Sequence, residues 1–205
     1  KKVRSGLVLW SPTGSLSGLN GVTSVGQLTI DSSTLETLNF FESIEEVGVM
    51  YLAHNDNLKD LTALSGVMFD SNFSGYSSHR NCGISTAPLC VFNNDQLKDL
   101  PFSTWYRSAV EAIDYAGFFG DTTVIEGNAS LEKLQVFRGV SKVGPLKITD
   151  NDSLENLNDL TSLNDGWSVE ITENDFLRDC RGLAPLLGWP SGPSNLTKKN
   201  SGQAG

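Results

Sequence analysis

Residues 144–165 read GPLKITDNDSLENLNDLTSLND, and this stretch decides the fold. Leu146 and Ile148 alternate with polar residues before Asn151, and leucine then recurs at every third position, at 154, 157, 160 and 163. A period of two predicts a short strand, whereas an apolar residue at every third position predicts a chain that turns corners around a central stack. The stretch therefore predicts one coil of a β-solenoid.

The same pattern recurs along the chain. Asn128, Asn151 and Asn174 are separated by steps of 23 residues, and each stands three residues before a leucine. Asn55 and Asn94 mark two further coils, but the steps from 55 to 94 and from 94 to 128 are 39 and 34 residues. One coil cannot bury its own apolar face, so stability must come from stacked neighbours. The sequence predicts a mainly β solenoid of about seven coils, with two insertions.

A single domain is expected over residues 1–188, followed by a polar tail or linker over 189–205 that contains Pro190, Pro193 and several glycines. The first insertion, about 68–87, is rich in Ser and Gly without periodicity and is predicted to be an ordered loop. The second insertion, about 101–121, has apolar residues at helical spacing and is predicted to be a helix that ends at Gly117.

The marker asparagines have a structural task. At the corner after each strand, a side-chain amide can bond backbone groups of its own coil and of the adjacent coil. A ladder of this kind is predicted for Asn55, Asn94, Asn128, Asn151 and Asn174. The aspartate that follows several of them suggests calcium, but calcium takes about six to eight oxygen ligands and no EF-hand spacing is present. A solvated turn acid is the favoured interpretation.

The stretch from Val143 to Leu160, VGPLKITDNDSLENLNDL, resembles the receptor L-domain branch of the leucine-rich repeats. That family includes the ligand-binding L domains of insulin-type and epidermal-growth-factor-type receptors, fungal wall-anchored proteins and bacterial surface proteins. The resemblance covers about residues 6–187. It implies a right-handed β-solenoid at the cell surface that binds another macromolecule, and it implies no catalytic residues.

The composition argues against two classes of partner, nucleic acid and the membrane interior. The 205 residues carry a net charge of −9, and the tight basic groups are Lys1-Lys2 and Lys198-Lys199 at the two ends, which argues against nucleic acid. No stretch approaches about 18 consecutive apolar residues, so no membrane span is expected within the chain. An extracellular or cell-surface address is expected. The lack of an initial Met and of a signal peptide then predicts a mature form or an excised domain.

The three cysteines fall into two groups. Cys180 occupies a leucine column and is predicted to be a buried thiol. Cys90 lies between inward Leu89 and Val91, so it should point outward, and a disulfide to Cys82 would pin the first insertion against the sheet. The alternative is free thiols in a reducing compartment. With two histidines and no CxxC pair, no metal site or cofactor is expected.

Four sequons occur, of which Asn128 and Asn151 should be turned inward as ladder residues. Asn72 and Asn195 are the candidate glycosylation sites, provided that the host glycosylates.

Strand alternation predicts the side chains on the outer sheet face. Trp10, Tyr51 and Phe92 should lie on it, near Phe73 and Tyr76 of the first insertion, and contiguous aromatic surface is typical of an interaction site. The alternative is that the first insertion covers these rings.

The resulting prediction is a non-enzymatic recognition module that binds a protein or glycan through the sheet face and the first insertion. A structural component that associates with copies of itself in a surface layer, wall or filament is the alternative. No nucleophile elbow, P-loop or HExxH motif is present. A lyase-like carboxylate array and an ice-binding threonine array are both disfavoured, because the acids are scattered by coil and the threonines are interleaved with charges and aromatics.

Overall fold

The computed structural model describes residues 1–12, 16–69, 89–102, 122–166 and 168–187, together with the backbone of residues 196–199. These residues form a mainly β solenoid of about six turns with little helix. The strands are β1 (Lys2–Trp10), β2 (Ser24–Asp31), β3 (Glu46–Ala53), β4 (Met68–Phe69), β5 (Leu89–Phe92), β6 (Thr123–Glu126), β7 (Lys142–Val143), β8 (Leu146–Thr149), β9 (Asp165–Gly166), β10 (Val169–Thr172) and β11 (Leu196–Lys199).

The main sheet is parallel and runs in the order β1-β2-β3-β5-β6-β8-β10-β11, with β4 also paired to β3. Strands from successive coils pair in parallel, with one register shift between Val3 and Gly6 of β1, and one apolar row crosses the sheet. That row consists of Leu9, Ile30, Leu52, Val91, Ile125, Ile148 and Ile171. The row continues from β3 to β5 and from β5 to β6, although long stretches of chain separate these strands.

Most of both predicted insertions lies outside the described residues, so the loop and the helix remain predictions. One boundary is corrected. Met68 and Phe69, which were assigned to the first insertion, form β4 and pair in parallel with Glu46 and Val47. Phe69 is buried and meets the buried ring of Phe102 edge-on, with centroids 5.9 Å apart. Both rings therefore belong to the core.

A short 3-10 helix forms the second corner in six of the coils. These helices are Ser17–Leu19, Asn39–Phe41, Thr62–Leu64, Gln135–Phe137, Asn158–Leu160 and Arg181–Leu183. The coil of Asn94 is described only as far as Phe102, so no second corner is described for it. Within the described part of the chain, no helix is long and apolar enough to cross a membrane.

Burial of the apolar columns depends on having a neighbour on both sides. Leu28 and Ile30 of β2 are fully buried, whereas Leu7 and Leu9 of β1 are only half-buried, because the first coil is covered from one side. Cys180, in a coil near the other end, is a free thiol that is also half-buried and packs against the core. The predicted full burial of Cys180 is therefore corrected to partial burial.

A residue in the left-handed conformation follows each of the strands β1, β2, β3, β5, β6, β8 and β10. This residue directly precedes the ladder position, and it has a φ between 50° and 69° from the second coil onward. The set is Ser32, His54, Asn93, Gly127, Asp150 and Glu173. A left-handed residue costs about 1–2 kcal/mol when it is not glycine, so the interactions that follow it must hold the corner.

The asparagine ladder supplies those interactions. The Oδ1 atom of Asn151 accepts two hydrogen bonds from Asn128, one from the backbone N–H at 3.2 Å and one from the side-chain Nδ2 at 3.1 Å. The same two bonds join Asn55 to Asn94, Asn94 to Asn128 and Asn151 to Asn174. All five asparagines are at most 1% exposed. The sequons at Asn128 and Asn151 are therefore enclosed in the folded chain.

The ladder begins with a serine. The backbone N–H of Ser33 donates to Asn55 Oδ1 at 3.0 Å, so Ser33 occupies the asparagine position of the second coil. The sequence offers a signal for it, since Ser33 stands 22 residues before Asn55, close to the repeat step.

Candidate functional site: the outer sheet face

The outer face of the sheet carries two rows of side chains in register. The first row is Val8, Thr29, Tyr51, Cys90, Val124, Lys147 and Glu170, and the second is Trp10, Asp31, Ala53, Phe92, Glu126, Thr149 and Thr172. Tyr51, Ala53, Cys90 and Val124 form a buried apolar cluster separate from the main core, with Phe92 packed against it. These residues thus lie on the opposite side of the sheet from the leucine columns.

The middle of this face is buried. Tyr51 is 3% exposed and Cys90 is 2% exposed. The sequence left open whether Tyr51 is exposed or covered, because alternation tells on which face a side chain lies and not whether that face meets water; in the structure the ring is covered. Phe92 is half-buried and keeps part of its ring accessible.

Several predicted site residues lie outside the described part of the chain. Phe73 and Tyr76, the other expected contact residues, are among them, and so are the candidate glycosylation sites Asn72 and Asn195. Cys82 is also outside, so its disulfide with Cys90 remains a prediction.

The N-terminal end of the face is open. Trp10 is 71% exposed and Val8 is 49% exposed, and Phe176 near the other end of the stack, at 52%, is the third large exposed hydrophobic residue among those described. A tryptophan left in water at this level loses the free energy that burial of its ring would provide, so adjacent exposed apolar side chains mark an interaction surface.

A polar pair stands beside Trp10. Asp31 pairs with Trp10 in the register of β1 and β2, and its Oδ1 accepts a hydrogen bond from Ser32 Oγ at 2.9 Å. The same oxygen lies 3.1 Å from His54 Nδ1. The His54 ring meets Phe92 edge-on at 5.4 Å. Trp10, Asp31, His54 and Phe92 therefore form a continuous strip across four coils, called the N-terminal strip below.

The strip contains a contact that the sequence interpretation missed. Asp31 and His54 were not paired, although they are 23 residues apart, which is the repeat step itself. Two polar residues at that spacing on successive corners are neighbours in a solenoid, so the signal was present.

The other end of the face is polar and internally paired. Lys147 Nζ donates to Glu126 Oε2 at 2.5 Å, and the hydroxyls of Thr149 and Thr172 are 2.7 Å apart. Because these side chains already form hydrogen bonds with one another, they leave fewer free hydrogen-bonding groups for a ligand. Across the described ranges, no group of three or more His, Cys, Asp or Glu side chains is arranged to hold a metal ion.

An open groove of about 460 Å³ lies away from the sheet, at the corners of the first two coils. Its lining is Leu16, Ser17, Asn20, Leu35, Glu36, Thr37, Asn39 and Phe40. No charged or aromatic group is enclosed by it, because Glu36 is exposed and Phe40 is half-buried. The groove therefore has fewer specific features than the N-terminal strip.

Comparison of the chain with protein-family models, with curated proteins and with solved structures finds no match. The resemblance to receptor L domains accordingly rests on the repeat pattern alone. Function must be argued from the outer face.

Proposed function

We propose that this chain is a non-enzymatic recognition module, extracellular or at the cell surface, that binds a protein or glycan through the N-terminal strip. The observation that carries the proposal is the 71% exposure of Trp10 on the outer face, next to the Asp31–His54 pair. The repeat pattern, which resembles receptor L domains, supports a surface address.

The strip combines the features that a binding surface needs. A tryptophan ring offers a large contact area with few rotatable bonds, so it loses little conformational entropy on binding. The Asp31 carboxylate and the His54 ring can accept and donate hydrogen bonds beside it, and their contact with each other, together with the Ser32 hydroxyl on Asp31, fixes their directions. The strip is presented by stacked coils whose corners are joined by the asparagine ladder, so it is preorganised.

The test uses fluorescently labelled protein on arrays of immobilised glycans and of surface-protein peptides. Truncation of a tryptophan anchor at an interface costs about 2 kcal/mol or more, so Trp10→Ala should weaken the strongest array signal roughly 30-fold. Phe176→Ala is the matched control, since Phe176 is also exposed but lies near the other end of the stack. Equal binding by the Trp10 variant and the native chain would show that the strip is not the site.

Self-association into a surface layer, wall or filament is the second candidate, and the exposed apolar side chains near both ends of the stack, Trp10 and Phe176, favour it. A surface polymer requires contacts that continue from copy to copy, whereas a recognition module functions as a monomer or a closed oligomer. Light scattering across a range of concentrations separates the two, because a polymer grows without limit and a closed oligomer reaches a fixed mass.

A further inference from the structure

β1 is the first strand of the sheet and pairs along one edge only, with β2, among the described residues. Ser11 N–H donates to the Asp31 carbonyl at 3.0 Å. Because a trans peptide directs its C=O opposite to the following N–H, the Trp10 carbonyl points away from β2. Alternation along the strand then directs the backbone groups of Val8 and Gly6 to the same open edge. Residues 6–10 of β1, which follow the shift in its register with β2 between Val3 and Gly6, therefore present hydrogen-bonding groups to solvent.

The apolar side of β1 is also incomplete. Val3, Leu7 and Leu9 are half-buried, while Leu28 and Ile30, which pair with Leu7 and Leu9 on β2, are fully buried. A strand added beside β1 would bury the exposed part of these side chains. The same edge thus lacks both a hydrogen-bonding partner and an apolar neighbour.

The composition of β1 indicates what that partner is. Its first half carries Lys2 and Arg4 and its second half carries Val8 and Trp10, all four exposed. A second β1 in antiparallel orientation brings Lys2 opposite the second copy's Trp10, which is a cation–π pairing. A parallel arrangement would instead place like charges side by side.

We propose that β1 is a self-recognition edge, through which two copies of this chain pair antiparallel about a two-fold axis at Gly6. This register sets residues 6–10 of each copy against residues 2–6 of the other, the half that contains the register shift between Val3 and Gly6. It places Arg4 opposite Val8 and leaves the two Lys2 side chains eight residues apart, about 27 Å along the strand. The Lys2 separation exceeds three Debye lengths of about 8 Å at physiological ionic strength, and the two Arg4 side chains, four residues or about 14 Å apart, are separated by more than one, so repulsion between the cations is largely screened.

The pairing gives a closed dimer of defined geometry. Each copy uses the same edge, so association stops at a dimer and gives no filament. A two-fold axis at a hydrogen-bonded antiparallel pair is perpendicular to the sheet, so both outer faces lie on the same side. The inference does not rest on the proposed function, because it depends on the edge of β1 and not on a ligand.

Gly6 provides a direct test of the register. A Cβ atom at Gly6 would make ordinary contacts, the nearest at 3.8 Å, so a cysteine fits there. In the dimer the two Gly6 Cα atoms are about 5.5 Å apart, within the range that a disulfide spans. The two Val8 Cα atoms would be about four residues out of register, roughly 14 Å apart along the strand. That distance is too long for a disulfide.

The experiment oxidises Gly6→Cys and Val8→Cys variants under mild conditions, with the unsubstituted chain as the control for native cysteines. Gly6→Cys is expected to form a covalent dimer at least ten times faster than Val8→Cys. Sedimentation of the unsubstituted chain should show a mass that rises from 22.2 kDa toward twice that value with concentration. A monomer up to millimolar concentration, or equal crosslinking at the two positions, overturns the proposal.

A second pair of variants covers the case in which Gly6→Cys does not fold. Val8→Pro removes an N–H that points to the open edge and leaves the bonds to β2 in place, while Val8→Thr keeps that N–H. The proline variant should sediment as a monomer at every concentration and the threonine variant as the native chain does. A proline variant that still forms dimers contradicts the edge pairing.

Discussion

Removal of one side chain from the asparagine ladder should lower the stability of the whole solenoid. In Asn151→Ala the backbone N–H of Asn128 loses Asn151 Oδ1, its hydrogen-bond acceptor at 3.2 Å, in a position fully closed to water. The carbonyl of Ile125 loses the bond that it accepts from Asn151 Nδ2 at 3.1 Å. Both groups belong to the adjacent coil that contains β6, so the substitution disturbs a neighbouring coil as well as its own.

The magnitude follows from those groups. A buried donor or acceptor left without a partner costs about 1–3 kcal/mol, so two of them cost about 2–6 kcal/mol. A domain of this kind is stable by about 5–15 kcal/mol in total. We therefore expect Asn151→Ala to lower the free energy of unfolding by a large fraction and to leave a chain that folds marginally at 25 °C.

Urea denaturation followed by circular dichroism measures this loss. Asn164→Ala is the matched control, because Asn164 is exposed and should change stability by less than about 0.5 kcal/mol. Hydrogen exchange adds a local readout, since the Asn128 amide should exchange faster in Asn151→Ala. A loss below about 0.5 kcal/mol for Asn151→Ala, with the Asn128 amide still protected, would refute the structural role of the ladder.

Two further predictions concern close contacts between coils. A Cβ atom at Gly182 would lie 1.6 Å from the Leu157 carbonyl oxygen, so Gly182→Ala must move two backbone segments apart. We expect this substitution to lower the free energy of unfolding by about 3 kcal/mol or more, measured by thermal melting. Gly66→Ala is the control and should be tolerated, because a Cβ atom at Gly66 would have no atom within 4 Å. Burial raises the pKa of Asp99, whose Oδ1 has no hydrogen-bond partner among the described residues. When the pKa of a carboxyl group is higher in the folded chain than in the unfolded chain, protonation of the group stabilises the fold. This contribution is fully present below the unfolded pKa of about 3.9 and is lost as the pH rises through the folded pKa. Asp99→Asn should therefore melt higher than the native chain at pH 7, and the difference should vanish near pH 3; a difference that is constant with pH would contradict the burial effect.

The sequence specified the scaffold because the scaffold repeats. The 23-residue step placed Asn128, Asn151 and Asn174 one above another, and the structure joins them by hydrogen bonds. The alternation before each asparagine likewise predicted which side chains line the core. In each case many copies of one physical requirement reinforce the same pattern.

Features that depend on one coil or on tertiary packing were not predictable in this way. The left-handed corner is filled by residues as different as His54, Glu173 and Gly127, so its conformation leaves no consensus in the sequence. The burial of Tyr51 depends on what lies over the sheet, which strand alternation does not report. Phe69 was assigned to a loop because the period ended near it, although its ring completes the core.

The most direct test of the N-terminal strip as a recognition site is a hydrogen-exchange footprint of the chain bound to the strongest ligand from the arrays. We expect new protection in residues 8–10, 29–31 and 51–54, where Trp10, Asp31 and His54 lie, with no change around Phe176. Protection confined to the last coils, or no protection in the first three strands of the sheet, would contradict it.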